Sequence, residues 1–205
     1  MRHTPHFLLT DPAEVKRLIR ENPWATFVSN TANGLLASHY PVILDESADD
    51  IVLLSHFGRP DDAALELGEH ELLVIIQGPH DYVSPSWYDE GQVVPTWNHV
   101  TAHLYGVPEI LSDEENYEVL SNLTDHFEQH FPQGRRLADD PEGTRRMAKG
   151  TTGLRMRVTR FDARAKLSQN KAEHVVERVT NELDARNPRL AREMRQAREE
   201  PDARG

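Results

Sequence analysis

Cysteine is absent from all 205 residues of the chain. The chain therefore has no disulfide framework, no thiol nucleophile and no thiolate metal ligand. It also lacks any window approaching 18 consecutive apolar residues, and its first residues, "MRHTPHFLLTDPAEV", contain no long apolar stretch typical of a signal peptide. We therefore expect a soluble, cytoplasmic protein with no membrane partner.

Positive charge is also scarce. The chain has 23 Lys and Arg against 34 Asp and Glu, a formal net charge of −11. Such a surface repels nucleic-acid phosphates unless its charges are segregated. The basic stretch "RNPRLAREMRQAR" is interrupted by Glu193, and no helix-turn-helix signature is present. The charge balance disfavours a protein that reads DNA on its own.

Common catalytic motifs are missing as well. The chain has no G-x-S-x-G elbow, no P-loop and no G-x-G-x-x-G, so hydrolase and NTPase interpretations have no anchor. None of the eleven histidines belongs to an HExxH motif. His99 and His103 share one face of a predicted strand but would lie about 13 Å apart, too far for one metal ion. We expect no metal site.

The remaining pattern is rich in short strands. Trp24–Ser29 and Leu35–Leu44 flank an Asn33-Gly34 turn and predict a hairpin. Further strands are predicted at "IVLLSHF", "ELLVIIQ", "VTAHLYGVPEIL" and "LRMRVTRF". Helices are predicted at "TDPAEVKRLIREN", at 172–185 and after Ser112, which forms a capping box with Glu115. This order favours an antiparallel barrel with flanking helices over a βαβ sheet.

The sequence predicts two parts of unequal size. Residues 1–185 form the barrel domain, and 186–205 form a charged C-terminal helix or tail, solvated or frayed because it carries alternating Arg and Glu and few large apolar residues.

One stretch, "DYVSPSWYDEGQVVPTWNHVTAHLYG", holds two of the three Trp and three of the five Tyr. Two explanations fit this concentration of rigid rings. Trp87 and Trp97 fill a barrel core, or they form the wall of a slot for a planar ligand. The composition of the stretch leaves both open.

The segment "LLSHFGRPDD" is the first candidate for ligand binding. A strand ends near Ser55 and His56, Gly58 frees the backbone, and Arg59 precedes a predicted helix. Such a turn would expose N–H groups beside a guanidinium that can bind a phosphate or carboxylate in bidentate fashion. The alternative is an ordinary turn with a solvated Arg.

The segment "AKLSQNK" is the second candidate. Lys166 and Lys171 bracket three short polar residues, among them Gln169 and Asn170. Amide side chains suit the polar edge of a heterocycle, because each offers a donor and an acceptor. The alternative is a solvated turn that leads into a helix.

Three segments together, "LLVIIQGPHDYVSPSWY", "VPTWNHVTAHLYG" and "KLSQNK", resemble the PaiB-like family, which is described as FMN-binding negative transcriptional regulators. The resemblance extends from "HFLLTDP" to about Glu177. It implies a split β-barrel like that of pyridoxamine 5′-phosphate oxidases. It also implies a homodimer, with FMN in a groove between the subunits.

The resemblance also assigns roles to residues. Arg59 becomes the partner of the FMN phosphate, and the late "KLSQNK" segment reaches the groove, possibly from the other subunit. The implied cofactor-binding residues are Ser38, His39, Val42, Ser55, His56, Arg59, Trp97, Asn98, Lys166, Gln169, Asn170 and Lys171. Two departures stand out: Pro60 follows Arg59 where the oxidases have a second basic residue, and "DDAALEL" lacks a Trp usual in the family. Lys166 or Lys171 could replace the missing charge.

Three functions follow from this resemblance. The first is a dimeric FMN-binding regulator that acts through a partner or a small-molecule signal. The second is a flavin-dependent oxidoreductase acting on a small planar substrate, with His39, His56 or His99 as candidate proton donors. The third is a haem-binding or haem-degrading split barrel. The sequence leaves open whether the protein is an enzyme and whether FMN, haem or another planar ligand fills the groove.

Overall fold

The structure is a computed structural model, and it describes residues 4–199. The chain packs as two compact units. Unit 1 comprises Met1–Leu18, Gln77–Ala102 and Asp162–Gly205, and unit 2 comprises Ile19–Ile76 and His103–Phe161. The predicted boundary between residues 185 and 186 stays a prediction, and the last six residues of the predicted tail lie outside the described residues.

Residues 4–199 contain eight strands and six α-helices. The strands are β1 Trp24–Thr31, β2 Gly34–Leu44, β3 Val52–Gly58, β4 Leu72–Val83, β5 Thr96–Gly106, β6 Glu109–Ile110, β7 Thr151–Arg157 and β8 Arg160–Lys166. The helices are α1 Pro12–Glu21, α2 Asp61–Ala64, α3 Asp113–Glu128, α4 Pro141–Ala148, α5 Glu173–Asp184 and α6 Pro188–Glu199. Short 3₁₀ turns cover Pro5–Phe7, Pro85–Trp87 and Leu137–Asp139.

Unit 2 holds the strand order β6-β7-β3-β2-β1-β4. The β1–β2 hairpin turns at Gly34, whose φ of +104° is a conformation that glycine adopts without strain. Antiparallel pairing runs from Trp24 opposite Pro41 to Thr31 opposite Gly34. The predicted hairpin is therefore confirmed, and its register fixes which side chains face the core.

The core of unit 2 forms between the inward faces of these strands, and α3 packs on the outer face of β3 and β7. Phe27 and Phe57 pack edge to face, with ring centroids 4.8 Å apart, and both are fully buried. Helix α3 begins with the predicted capping box, since Ser112 accepts from the Glu115 N–H and the Glu115 carboxylate accepts from the Ser112 N–H. Its buried Val119 and Leu123 face the sheet.

The single strand predicted for "LRMRVTRF" is wrong, because the chain forms β7 and β8 there. The break lies at Val158 and Thr159. Their N–H groups donate to different neighbours, Val158 to Ile51 O and Thr159 to Tyr105 O, both at 2.9 Å. Regular alternation in the sequence runs through this break, so hydrophobic periodicity alone could not reveal it.

Unit 1 holds the strand order β4-β5-β8 together with α1, α5 and α6. Helix α6 was predicted to be solvated or frayed, and that prediction is wrong. Leu190, Ala191 and Met194 are buried, and α6 packs against α5. The buried apolar residues of α6 have helical spacing, but they are few and lie among many charged residues, so the sequence did not reveal them.

Within residues 4–199, no helix has the length and apolar composition needed to cross a membrane.

Candidate functional site

The turn after β3 is closed by its own hydrogen bonds. Gly58 N donates to Tyr40 Oη at 3.1 Å, and Arg59 N donates to Gly150 O at 3.0 Å. The sequence predicted that this turn would expose N–H groups to an anion, and for these two groups the prediction is wrong. Of these two N–H groups and the Arg59 side chain, the side chain is the one that can bind an anion.

The Arg59 guanidinium is anchored at one end. Its Nε donates to Thr152 Oγ1 at 3.1 Å, and the Thr152 hydroxyl donates to Asp62 Oδ2 at 2.6 Å. The side chain is 53% exposed, and among the residues that the structure describes nothing accepts a hydrogen bond from its terminal nitrogens. A fixed guanidinium with two open nitrogens suits bidentate binding of a phosphate, so the donor set fits this part of FMN.

One carboxylate lies beside this guanidinium, and a second one fastens the turn that carries it. Asp62 Oδ2 is 3.9 Å from Arg59 Nε. Asp61 Oδ2 accepts from Ser38 Oγ at 3.0 Å and from Tyr40 Oη at 2.9 Å, which fastens the turn to β2. Burial raises the pKa of Tyr40, and the Asp61 hydrogen bond adds to the rise. The negative charge of Asp62 opposes an incoming anion, so Arg59 is a weaker phosphate site than an isolated guanidinium.

Strand alternation separates the residues predicted to lie along the flavin ring. His39 is exposed on the outer face of β2, opposite Thr26. Ser38 and Val42 point to the other face, where Ser38 bonds Asp61 and Val42 is fully buried. Their side chains therefore do not share a surface with His39.

The remaining predicted residues lie on opposite faces of β3 and are buried or partly buried. Ser55 is fully buried, and its hydroxyl donates to Pro41 O at 2.7 Å. His56 is partly buried, its Nδ1 has no hydrogen-bond partner among residues 4–199, and its ring lies 5.9 Å from that of Tyr40. Burial lowers the pKa of His56, so its imidazole stays neutral near pH 7.

The outer face of the β1–β2 hairpin carries exposed apolar side chains. Trp24 is 63% exposed and Leu35 is 78% exposed. Both point the same way as His39, because Trp24 pairs with Pro41 and Asn30 pairs with Leu35. An exposed apolar strand face of this kind suits a flat ring or a partner chain.

Unit 1 contains the other predicted binding residues. Trp97 is 54% exposed and lies beside Tyr82, with ring centroids 6.0 Å apart. Asn98, on the opposite face of β5, is fully buried, and its amide exchanges hydrogen bonds of 3.0 and 3.1 Å with the Ser168 hydroxyl. Trp97 therefore belongs to a surface, whereas Asn98 ties β5 to the chain after β8.

The polar run after β8 is used largely by its own turn. Gln169 Oε1 accepts from Leu167 N at 2.7 Å, and Gln169 Nε2 donates to Ala165 O at 2.5 Å. Ser168 has a φ of +67°. The two bonds give Gln169 a structural role within its own turn.

The lysines and Asn170 are placed differently. Asn170 is exposed. Lys171 Nζ donates to Gln92 Oε1 at 3.0 Å and lies 4.4 Å from the centre of the Tyr88 ring. Lys166 Nζ donates to Trp97 O at 2.9 Å and to the Thr96 hydroxyl. The predicted residues thus fall into two groups, one within each unit, and a shared groove stays a prediction.

Comparisons with known proteins show which family the chain belongs to. Residues 1–160 match the model of a protein family described as "Putative FMN-binding domain". The chain belongs to this family. It is 32% identical over 194 residues to the Protease synthase and sporulation protein PAI 2 of Bacillus subtilis, covering 91% of this chain and 92% of that protein.

Solved structures show the same fold. The FAD and haem binding protein from Mycobacterium smegmatis superposes with a TM-score of 0.61 at 18% identity, covering 82% of this chain and 78% of that one. The flavocytochrome Anf3 from Azotobacter vinelandii gives a TM-score of 0.57 at 11% identity, covering 82% and 73%. The predicted PaiB-like family, FMN as the cofactor of that family, and a mainly β split barrel with flanking helices are confirmed.

Sequence reasoning missed several residues of these sites. Asp61 and Asp62 were treated only as the start of a helix, although two carboxylates next to Arg59 are a signal in the sequence itself. Thr152 is 90 positions away from Asp62, and nothing in the sequence links them. Arg164 lies in β8, and nothing in the sequence of that strand singles it out.

Proposed function

We propose that this protein is a flavin-binding homodimer in which Arg59 binds the FMN phosphate. The observation that carries the proposal is the anchored guanidinium, held at Nε by Thr152 while its terminal nitrogens face no acceptor in the described residues. Because Asp61 fastens the same turn to β2 through Ser38 and Tyr40, the guanidinium has a fixed position relative to that strand. Little conformational entropy would be lost on binding.

The outer face of the hairpin is the surface we assign to the second copy and to the ring of the cofactor. Trp24 and Leu35 leave apolar area in water that association would bury. His39 on that face supplies a polar group at its centre. FMN, when bound, supplies a redox-active ring, and the residues of this chain position it and exclude water from it.

A regulatory role would act through flavin occupancy or a protein partner rather than by direct contact with DNA. The name of the Bacillus subtilis relative suggests control of protease synthesis and sporulation. The Arg-rich helix α6 is not a free basic surface, because Arg195 pairs with Asp184 at 3.0 Å and Arg198 pairs with Glu173 at 2.5 Å. With a net charge of −11, this pairing leaves little attraction for phosphate backbones.

Titration with FMN and with riboflavin tests the proposal. Arg59→Ala should weaken FMN binding by about tenfold or more, because it removes a charge-assisted phosphate contact. Riboflavin, which lacks the phosphate, should bind the variant and the parent equally. Arg146→Ala is the matched control, since Arg146 is also exposed but lies on α4.

Two results would refute the assignment. Equal FMN affinity in Arg59→Ala and in the parent would place the phosphate elsewhere. A visible spectrum with haem bands and no flavin bands would show that the ligand is a haem and not a flavin. It would favour a haem-binding or haem-degrading function.

A further inference from the structure

Arg164 is buried with an incomplete set of hydrogen bonds. Its side chain is 3% exposed. Its Nη1 contacts Asp162 Oδ1 at 2.5 Å and donates to Ala163 O at 3.1 Å. Its Nε and Nη2 are buried and have no partner in the described residues. A buried donor without an acceptor is costly, so an arginine in this state points to an acceptor that binds there.

Other cationic or protonatable groups lie on the same face of unit 1. Lys166 follows Arg164 by two positions along β8, so both side chains point to one side. His99 lies on the neighbouring strand β5, and burial lowers its pKa, with further lowering by Lys166, His80 and Arg164. We call His80, His99, Arg164 and Lys166 the basic cluster.

The charge of the basic cluster is not balanced. Asp162 is the carboxylate paired with Arg164, and it is partly exposed. Lys166 Nζ contacts neutral oxygens, the Thr96 hydroxyl and the Trp97 carbonyl. Arg164 and Lys166 bring two positive charges to one carboxylate. A single added negative charge would neutralise the cluster and give the open nitrogens of Arg164 an acceptor.

Aromatic rings border the basic cluster. The rings of His80 and Trp97 are 6.4 Å apart and those of Tyr82 and Trp97 are 6.0 Å apart. Trp97 and Tyr82 are both exposed. The carbonyl of Trp97 contacts Lys166 directly, so the aromatic surface and the cationic groups adjoin. A flat ring with one anionic substituent would match both.

We propose that the basic cluster binds a small planar molecule that carries a carboxylate or phosphate group. The anionic group lies against Lys166 and Arg164, and the ring lies against Trp97 and Tyr82. Lys166 is less buried than Arg164, so the anion enters beside Lys166. The site lies wholly in unit 1, and the proposal holds whether or not Arg59 binds the FMN phosphate.

Calorimetric titration of the protein saturated with FMN tests this site with three simple probes. Benzoate and phenyl phosphate carry the two candidate acids on one ring, and benzamide has the same ring without charge. We expect at least one acid to bind and benzamide to bind about tenfold more weakly or not at all. Which acid binds identifies the class of the natural ligand.

Variants locate the site. Arg164→Met and Lys166→Met should each weaken binding of the acid by about tenfold, whereas Arg59→Ala should leave it unchanged. If Arg164→Met does not fold, as judged by circular dichroism, Lys166→Met decides the question.

Three outcomes would overturn the proposal. The first is that the acids bind no better than benzamide. The second is that the Met variants keep their affinity for the acid within about twofold of the parent. The third is that the Met variants lose FMN while Arg59→Ala retains it. In the last case the basic cluster holds the cofactor phosphate instead, and the proposed role of Arg59 also fails. Loss of FMN in Arg59→Ala alone supports Arg59 and leaves this site to be judged by the acids.

Discussion

Arg17 and Glu193 form a bidentate ion pair across 176 positions of sequence. Arg17 Nη1 donates to Glu193 Oε1 at 2.8 Å, and Arg17 Nη2 donates to Glu193 Oε2 at 2.9 Å. Glu193 is almost fully buried, and its hydrogen bonds raise the pKa of Arg17. The pair fixes α6 to α1 inside unit 1, so the C-terminal helix is part of the folded unit.

Arg17→Met should therefore destabilise the protein by about 3 kcal/mol, because it removes the bidentate hydrogen bonds of a buried carboxylate. Urea unfolding followed by circular dichroism measures the change. Arg20→Met is the control, since Arg20 pairs with Glu46 at 2.8 Å on an exposed surface and should matter by less than about 1 kcal/mol.

The double variant Arg17→Met with Glu193→Leu should recover much of this loss, because it removes the buried charge together with its partner. If the single variant unfolds within about 0.5 kcal/mol of the parent, α6 is held by its apolar stripe alone and the ion pair adds nothing.

Asp62→Asn should tighten FMN binding, by about fivefold, whereas Arg59→Ala should weaken it. The substitution removes a negative charge 3.9 Å from Arg59 Nε, worth about 1 kcal/mol at an exposed site, and keeps an oxygen that can accept from Thr152. Fluorescence titration of FMN measures the change. Riboflavin affinity is the control and should not change, and the gain should shrink in high salt.

A contrary result is easily recognised. Weaker FMN binding in Asp62→Asn would mean that Asp62 positions Arg59 more than it repels the phosphate. An equal change for riboflavin would locate the effect away from the phosphate.

Much of the fold was accessible from the sequence because local signals decide it. Asn33-Gly34 specifies the hairpin turn, and Ser112 with Glu115 specifies the start of α3, each by chemistry within four residues. The signals that failed were those that depend on distant partners. Nothing near Val158 shows that its N–H bonds Ile51, and nothing near α6 shows that Glu193 meets Arg17.

The site was predicted less well for a related reason. Family resemblance selects segments, whereas strand alternation decides which side chains of a segment face outward. His39 and Trp97 are exposed, but their neighbours Ser38 and Asn98 point the other way and are bonded internally. Gln169 closes its own turn and Ser168 bonds Asn98 of β5, which composition could not distinguish from ligand binding.

Stability should fall at acidic pH in part through His56. Burial lowers the pKa of His56 in the folded state below its unfolded value of about 6.5. The folded state therefore resists protonation, and the contribution to stability is fully present above about pH 6.5 and is lost as the pH falls through the folded pKa. His56→Leu should flatten the decline in unfolding free energy between about pH 7 and pH 5.

The exposed His130 provides the control for this experiment, because His130→Leu should leave the slope unchanged. Burial also lowers the pKa of His99, so part of the slope should survive in His56→Leu. If the slope of unfolding free energy against pH is the same in His56→Leu as in the parent, burial is not the dominant influence on the protonation of His56. The Nδ1 atom would then gain a partner on protonation.

Leu35→Lys should convert the proposed homodimer into a monomer. Leu35 is 78% exposed on the outer face of the hairpin, in line with Trp24 and His39. A lysine there would bring two ammonium groups, one from each copy, into an apolar interface, where desolvation of the charge is costly. Sedimentation at micromolar concentration should give the parent twice the chain mass of 23.4 kDa and the variant the chain mass itself.

Met147→Lys is a matched control, since Met147 is also 78% exposed but lies on α4. It should leave the dimer intact. If the parent already sediments as a monomer, or if Leu35→Lys stays dimeric while Met147→Lys dissociates, the outer face of the hairpin is not the dimer interface.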